Sequence, residues 1–466
     1  VSATYRVTNS LVVPGFYPEA GFMGQSGMGG GLYAPGYDFA FGFIDDQFME
    51  KASSRGWLSM NDSIVQPATA AYTSDFDIKI NLEPIPGLKI DLNGKRYEAN
   101  TTSIQYMYEG MPETFTGSYN ITQIALTTAF SSIGNAKNNY SSKNYERFLE
   151  YRDIMTDRLQ QKYDAIGNYP TTGFLSSDNS SLSGKPYDRQ NGTVDKGSGD
   201  VMIPAFLAAY TGRDINKINT NPFLGILSIM PNWRVSYDGL SRIPWVKENF
   251  KSVSLTHAYT CKYSIGSYTS FSTWVSANNS DNSLGFIRDV QTENPLPSSA
   301  YDISSVSLTE QFSPLIGLNM TMKNSITAKA EYRKQRNLAL NVSSAQMVEG
   351  ATDEFVIGLG YTIKEFDLIL KLKSNKQKKI KNDLKVSADV SYKDVKSILR
   401  KIEENVAQAS SGNKVWSIKI MADYVLSSKI NLQFFYDRQS TIPLISSSFP
   451  VATDNFGVNI KLMLTR

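Results

Sequence analysis

The residues best suited to chemistry are His257 and Cys261, the single histidine and the single cysteine among 466 residues. They stand in the stretch "LTHAYTCKY". Four apart on an extended strand, they share a face and could act as a ligand pair. Packing is the plainer reading, because no cluster of histidine, cysteine and carboxylate with metal-ligand spacing joins them. The glycine run "GQSGMGGG" lacks the Lys-Ser/Thr of a phosphate-binding loop and reads as turning backbone. Asp45–Asp46 and Glu403–Glu404 show no paired geometry. The basic run "KSNKQKKIK", 373–381, reads as a solvated turn, with an acidic partner or lipid headgroups as the sharper alternative. These residues predict no enzyme, no cofactor and no metal site.

The elements that would position any site are strands. In "VWSIKIMADYVLSSKINLQFFYDR", 415–438, Trp416, Ile418, Ile420, Ala422 and Tyr424 alternate with Ser417, Lys419, Met421 and Asp423. After a turn at Ser427–Ser428, Ile430, Leu432, Phe434 and Tyr436 alternate with Asn431, Gln433, Phe435 and Asp437. A period of two gives each strand one apolar and one polar face. The same pattern runs through "DFDIKINLEPIPGLKIDLNGKRY", "LIGLNMTMK", "ITAKAEYRK", "EFVIGLGYTI", "DLKVSADVSY" and "FGVNIKLMLTR". A dozen to sixteen strands are expected. The apolar face meets either the core of a soluble sandwich or lipid.

Composition narrows the classes. With 47 Lys+Arg against 44 Asp+Glu, the net charge of +3 gives no case for nucleic acid. One cysteine rules out an intramolecular disulfide framework, and no apolar run is long enough for a transmembrane helix. "VSATYRVTNS" lacks the signature of a signal peptide, so the sequence reads as a mature chain or a piece of a longer one. An aromatic content of 12%, with 26 Tyr and 23 Phe, suits a barrel that needs aromatic girdles at two interfaces.

Four segments are expected. Residues 1–70 are rich in Gly, Pro and aromatics, and 71–133 carry the first strands. Residues 134–230 form a helical and polar insert, and 231–466 return to strands. Within the insert, 142–166 has a helical period that places Tyr145, Phe148, Leu149, Arg152 and Met155 near one face. "DVMIPAFLAAYTGRD" is a second helix. The insert is too polar for lipid and is expected over the extracellular mouth or a wall opening, with Tyr145, Phe148 and Phe206 as its anchors. Residues 175–198 carry no evident apolar anchor.

Three features favour lipid over a soluble core. Full charges sit in mid-strand on the polar face. Aromatics such as Tyr332, Tyr361, Trp416, Tyr424 and Tyr436 fall near strand ends. Tight turns at Lys323–Ser325 and Ser427–Ser428 alternate with longer connections. The expected fold is an all-β transmembrane antiparallel β-barrel with helical and irregular extracellular inserts. Lys329, Glu331, Arg333, Lys419, Asp423, Asn431, Gln433, Asn459 and Lys461 would line the pore. Trp416, Ile418, Ile420, Tyr424, Leu432, Phe434, Val458, Ile460 and Leu462 would face lipid. Counting strands back from a periplasmic Arg466 places Ser428 inside, and both 440–454 and 393–412 outside.

The wording of several segments resembles a known family. "IPAFLAAYTGRD", "PNWRVSYDGL", "LTHAYTCKYSIGSYTS" and the long "FSPLIGLNMTMKNSITAKAEYRKQRNLALNVSSAQMVEGATDEFVIGLGYTIKEF" are similar to the C-terminal part of the SprA/Sov family. That family forms the outer-membrane translocon of the type IX secretion system. The resemblance implies a protein-conducting pore in the bacterial outer membrane, of which this chain is one segment. It also implies cargo with C-terminal secretion signals released sideways, a PorV-type shuttle barrel at the gap, a periplasmic plug protein, and contact with lipid and lipopolysaccharide. The alternatives are a self-contained porin or fatty-acid-type transporter, and a soluble secreted β-rich surface protein.

Overall fold

The computed structural model describes all residues except 20, 29–31, 42–47, 60–65, 109–112, 278–282, 372–376, 428, 446–447 and 463–466. Part of the basic run, Asp45–Asp46, Ser428 and Arg466 lie outside the described residues.

The chain is all-β with helical inserts, built on one antiparallel sheet. Its main strands are β1 (Ser2–Val12), β2 (Ala68–Ile85), β3 (Leu88–Ile104), β4 (Glu113–Thr122), β5 (Asn232–Tyr237), β6 (Phe250–Ser270) and β7 (Ser305–Met322). They continue as β8 (Ile326–Asn341), β9 (Gln346–Lys371), β10 (Gln377–Lys401), β11 (Val406–Ser427), β12 (Ile430–Pro443) and β13 (Val451–Leu462). Strands lie side by side in the order β1-β2-β3-β4-β6 and then β7 through β13. Among the described residues β1 and β13 are each paired on one side only. The first segment therefore begins with a strand of the sheet, because Ser2–Val12 pairs with Thr69–Lys79. It is not solely a Gly/Pro-rich lead-in.

One strand position is shared. β3 pairs with β4 through Arg96–Ile104 and with β5 through Leu88–Asn93. β4 stops at Thr122 and β5 resumes at Asn232, so the insert occupies 123–231 and interrupts a strand. Its two ends stay together: the Met230 amide donates to the Thr122 carbonyl at 3.2 Å. The interruption begins earlier than the expected boundary at 134, because Gln123–Ser131 has too little helical period to stand out from strand.

The hairpins differ from the expected rhythm of short and long loops. The turns at 342–345 and 402–405 have only four residues, one more than the turn at 323–325 at the opposite end. Most of 393–412 is strand, not loop, and β10 and β11 extend past the point where their apolar alternation stops. Backbone hydrogen bonds across the ladder carry this extension, which side-chain periodicity does not reveal.

The insert folds around α1 (Lys143–Asp164) and α2 (Gly199–Thr211). α1 opens after Ser142 with Glu146 in its first turn and closes with Lys162 in its last, charges that oppose the helix dipole favourably. Its buried stripe is Tyr145, Phe148, Arg152, Met155, Leu159 and Tyr163, at helical spacing. α2 is buried on almost every side and ends at Gly212, whose φ of 72° suits a glycine cap. Tyr145, Phe148 and Phe206 share one core with Tyr263, Leu308, Leu338 and Met347 of the sheet. The stretch 175–198 is anchored after all. Leu175 and Val194 are buried, and Tyr187 packs on Tyr163, Tyr169 and Phe286 at 5.5–6.3 Å. Polar neighbours mask these anchors in the sequence.

Candidate membrane-facing wall and its lining

Register fixes which side chains share a face. Tyr332 pairs with Phe355, Phe355 with Tyr392, and Tyr392 with Trp416. These four aromatics form a row across β8–β11, with Tyr332 and Phe355 stacked at 4.5 Å and Tyr392 against Trp416 at 4.7 Å. One step towards the insert end, the same face carries Lys334, Asp353, Asp394 and Lys414. One step the other way it carries Ala330, Ile357, Val390 and Ile418, then Leu359, Ala388, Ile420 and Tyr436. Ile357 and Leu359 are 58% and 57% exposed. The pattern is an apolar band edged by aromatics and then by charges.

All eighteen residues expected on the two faces fall where alternation puts them. Trp416, Ile418, Ile420, Leu432, Phe434, Val458, Ile460 and Leu462 lie on the apolar face. Asp423 pairs with Gln433 and Gln433 with Asn459, while Asn431 pairs with Lys461, all on the other face. Lys329, Glu331 and Arg333 share that second face, because Lys329 connects through Gly358 and Asp389 to Lys419. Tyr424 needs a correction. It belongs to the apolar face but is 2% exposed, with its hydroxyl donating to the carbonyls of Phe366 and Ile380. Phe366 covers its ring at 6.1 Å. The overhang of β9 and β10 beyond Ile363, which the sequence pattern does not mark, shields it.

The band does not stay at one level. On β2 its top is Phe76, below Ser74; on β13 its top is Phe456, below Asp454. Phe76 connects through Arg96, Ile121, Tyr263, Leu308 and Leu338 to Glu349. Phe456 connects through Tyr436, Ile420 and Ala388 to Leu359. On β9 these two levels differ by 359 − 349 = 10 residues, accumulated over the ten strand steps from β2 to β13. One residue of about 3.3 Å per strand spacing of about 4.8 Å corresponds to a strand tilt of roughly 35° against the band. Barrel strands tilt by that amount against the barrel axis.

Charges on the polar face are neutralised locally. Arg333 contacts Glu331 at 2.5 Å and Glu354 at 3.3 Å, and Lys329 contacts Glu331 at 3.1 Å. Gln433 donates to Asp423 at 2.8 Å, and Asn459 donates to Gln433 at 3.3 Å. Along one row Asp389, Lys419 and Asp437 alternate in sign. Such a surface holds water without selecting strongly for either charge.

On the insert side of the aromatic row, the apolar face is covered by the insert and carries buried charges. Glu310 and Arg336 pair at 2.9 Å, with side chains 2% and 5% exposed. Arg336 donates to the Thr128 carbonyl at 2.8 Å, and the Tyr259 hydroxyl donates to Glu310 at 2.7 Å. Glu349 and Arg400 pair at 2.5 Å, each 1% exposed. Arg400 donates to the carbonyls of Tyr140 and Ile133 and lies 4.6 Å from the Tyr145 ring. Tyr210 of α2 donates to Glu349, and burial raises the pKa of that phenol. Sequence reasoning missed this cluster. Its only trace is a set of charges on the apolar register of β7–β10.

His257 and Cys261 lie on the same face, as expected. Cys261 is buried and free, and His257 Nδ1 lies 2.6 Å from the Leu315 carbonyl. No cluster of three potential metal ligands occurs among the described residues. No described helix is long and apolar enough to cross a membrane.

No family model and no curated protein matches the sequence. Among solved structures, the chain is similar to the β domain of the Bordetella autotransporter BrkA. The two are 6% identical, the match covers 85% of this chain and 92% of that one, and the TM-score is 0.22. At that score the similarity carries no argument.

Proposed function

We propose that this chain is part of the wall of a transmembrane β-barrel in a bacterial outer membrane. The observation that carries the reading is the slanted apolar band. A row of bare Ile, Leu and Val side chains crosses β9–β13, edged by aromatics and then charges, and it climbs about one residue per strand. Trp416 to Tyr424 spans nine residues, the length a tilted strand needs to cross a bilayer. A soluble monomer rarely leaves so continuous an apolar surface open to water. The one-sided pairing of β1 and β13 fits a segment of a larger barrel, since open edges are not tolerated in lipid.

Within that wall we propose the conduit of a type IX translocon. It would pass cargo with C-terminal secretion signals and release it sideways to a PorV-type barrel, with a plug protein closing the idle pore. The chain conducts and does not catalyse. The resemblance to the SprA/Sov family supports this finer reading, and the hydrated, charge-balanced lining is compatible with it. Cysteines placed alternately along 415–425 of the intact protein test the wall. Odd positions should react with water-soluble maleimide through the lumen, and even positions should be protected by lipid. Uniform reactivity would reject it. Depleting the protein in its host and measuring export of cargo with C-terminal secretion signals tests the finer reading; undiminished export rejects it.

A further inference from the structure

The insert presents an apolar underside where it meets the band. Phe130 is 60% exposed and packs on Phe312 at 5.4 Å. Phe312 pairs with Lys334, one step from the aromatic row. Leu126, on the same turn as Phe130, is 37% exposed. A second exposed group lies on the segment that returns to the wall: Ile226 is 42%, Leu227 103% and Met230 37% exposed. This segment is fixed in place and does not dangle. Gln123 Nε2 donates to the Ser228 carbonyl at 2.9 Å, and the Met230 amide donates to Thr122. Ile229 lies so close over β3 that a Cβ at Gly94 would sit 2.7 Å from its Cγ2. Gly94 pairs with Ile78, inside the band on β2.

The two groups therefore stand at different levels of the sheet, yet both meet the band near its upper edge. On β7 that edge falls at Phe312, and on β2 it falls at Phe76, two residues above Ile78. Buried anchors such as Phe148 and Phe206 belong to the core that the insert shares with the sheet, so these exposed residues are not leftovers of that packing. A segment that is apolar, exposed and held in place by hydrogen bonds at an interface has the makings of an interfacial anchor.

We infer that the insert carries its own membrane-contact rim, Leu126, Phe130, Ile226, Leu227 and Met230, which rests in the acyl chains of the leaflet at the insert end. The inference depends on the wall reading. Its occupant is lipid because the rim is continuous with the band and carries no charge that would address a polar partner. The rim would hold the insert against the outer flank of the wall, beside the lumen and not across it.

The test uses the intact protein with a fluorophore on a cysteine introduced by Leu227→Cys or, separately, Phe130→Cys. Reference labels go on Leu359→Cys in the band and Glu404→Cys at the far turn. Each variant is reconstituted in vesicles of phosphatidylcholine and phosphatidylglycerol, with and without brominated acyl chains. Labels at 227, 130 and 359 should lose emission in brominated lipid, and the label at 404 should not. Quenching at 359 without quenching at 227 and 130 overturns the rim and leaves the wall standing. No quenching at 359 overturns the wall and the rim together. Protection at 227 from both brominated lipid and aqueous iodide would mean a protein contact there, which also overturns the proposal.

Discussion

The apolar face of one sheet is used in two ways. Across β6–β10 at the insert end it is covered by α1, α2 and their connections, and Tyr263, Leu308, Leu338 and Met347 are buried to within 0% exposure. Across β9–β13 beyond the aromatic row it is bare. Alternation is the same in both regions, so alternation does not say what an apolar face touches. The difference lies in the charges. Under the insert, Glu310, Arg336, Glu349 and Arg400 sit on the apolar register and are paired with each other and with insert carbonyls. On the bare face of β9–β11, no charged side chain stands between the aromatic row and Tyr361, Val386 and Ala422. A protein can neutralise a buried charge with a carbonyl; hydrocarbon cannot.

Removing one partner of a buried pair should break the covered region hardest. Arg400→Ala leaves Glu349 uncompensated and strips Tyr140 and Ile133 of a donor, which should cost about 3–5 kcal/mol. Limited proteolysis should then cut 123–231 while β11–β13 remain protected. If those strands become equally sensitive, the two regions are not separable. On the bare face, Ile420→Arg should cost about 2–4 kcal/mol in assembly, whereas Lys419→Arg on the opposite face should be near neutral. Urea titration in phospholipid vesicles compares them, and equal effects would erase the distinction between the faces.

The covered region should also respond to pH. Asp200 accepts a hydrogen bond from the Ser299 amide at 2.8 Å, and burial raises its carboxyl above the ordinary range. A raised folded pKa means its stabilising contribution is present below the unfolded pKa and lost as pH rises through the folded one. Thermal unfolding of the insert should therefore show higher stability at acidic pH, and Asp200→Asn should flatten that dependence. An unchanged slope would remove Asp200 from the account. The smallest effect is expected on the polar face. Gln433→Ala breaks the Asp423–Gln433–Asn459 ladder in a solvated setting and should cost about 0.5–1 kcal/mol, read from the same urea titration.

Much of the wall was legible in the sequence, because side-chain period alone assigns a residue to a face. Ile418 against Lys419 and Val458 against Asn459 needed nothing more. Both helices were legible from spacing and an apolar run. The aromatic row was only half legible: Tyr332 and Trp416 stand out near strand ends, but Phe355 and Tyr392 join them only once the register is known. Glu349 and Arg400 are 51 residues apart, and no local pattern links them. Tyr187 and Val194 looked unanchored because their partners, Phe286 and Gln160, are distant in sequence or polar.

The interrupted strand bears on how the wall is put together. Thr122 and Asn232 fill one position from opposite ends of 109 intervening residues (231 − 123 + 1). A slack chain of that length resists bringing its ends together, whereas a folded unit whose ends already touch does not. A folded insert whose ends already touch lets β6 zip directly onto β4 and β5. Slow folding of 123–231 would stall the sheet at β4 and leave its edge unpaired, a natural point for mispairing or chaperone capture.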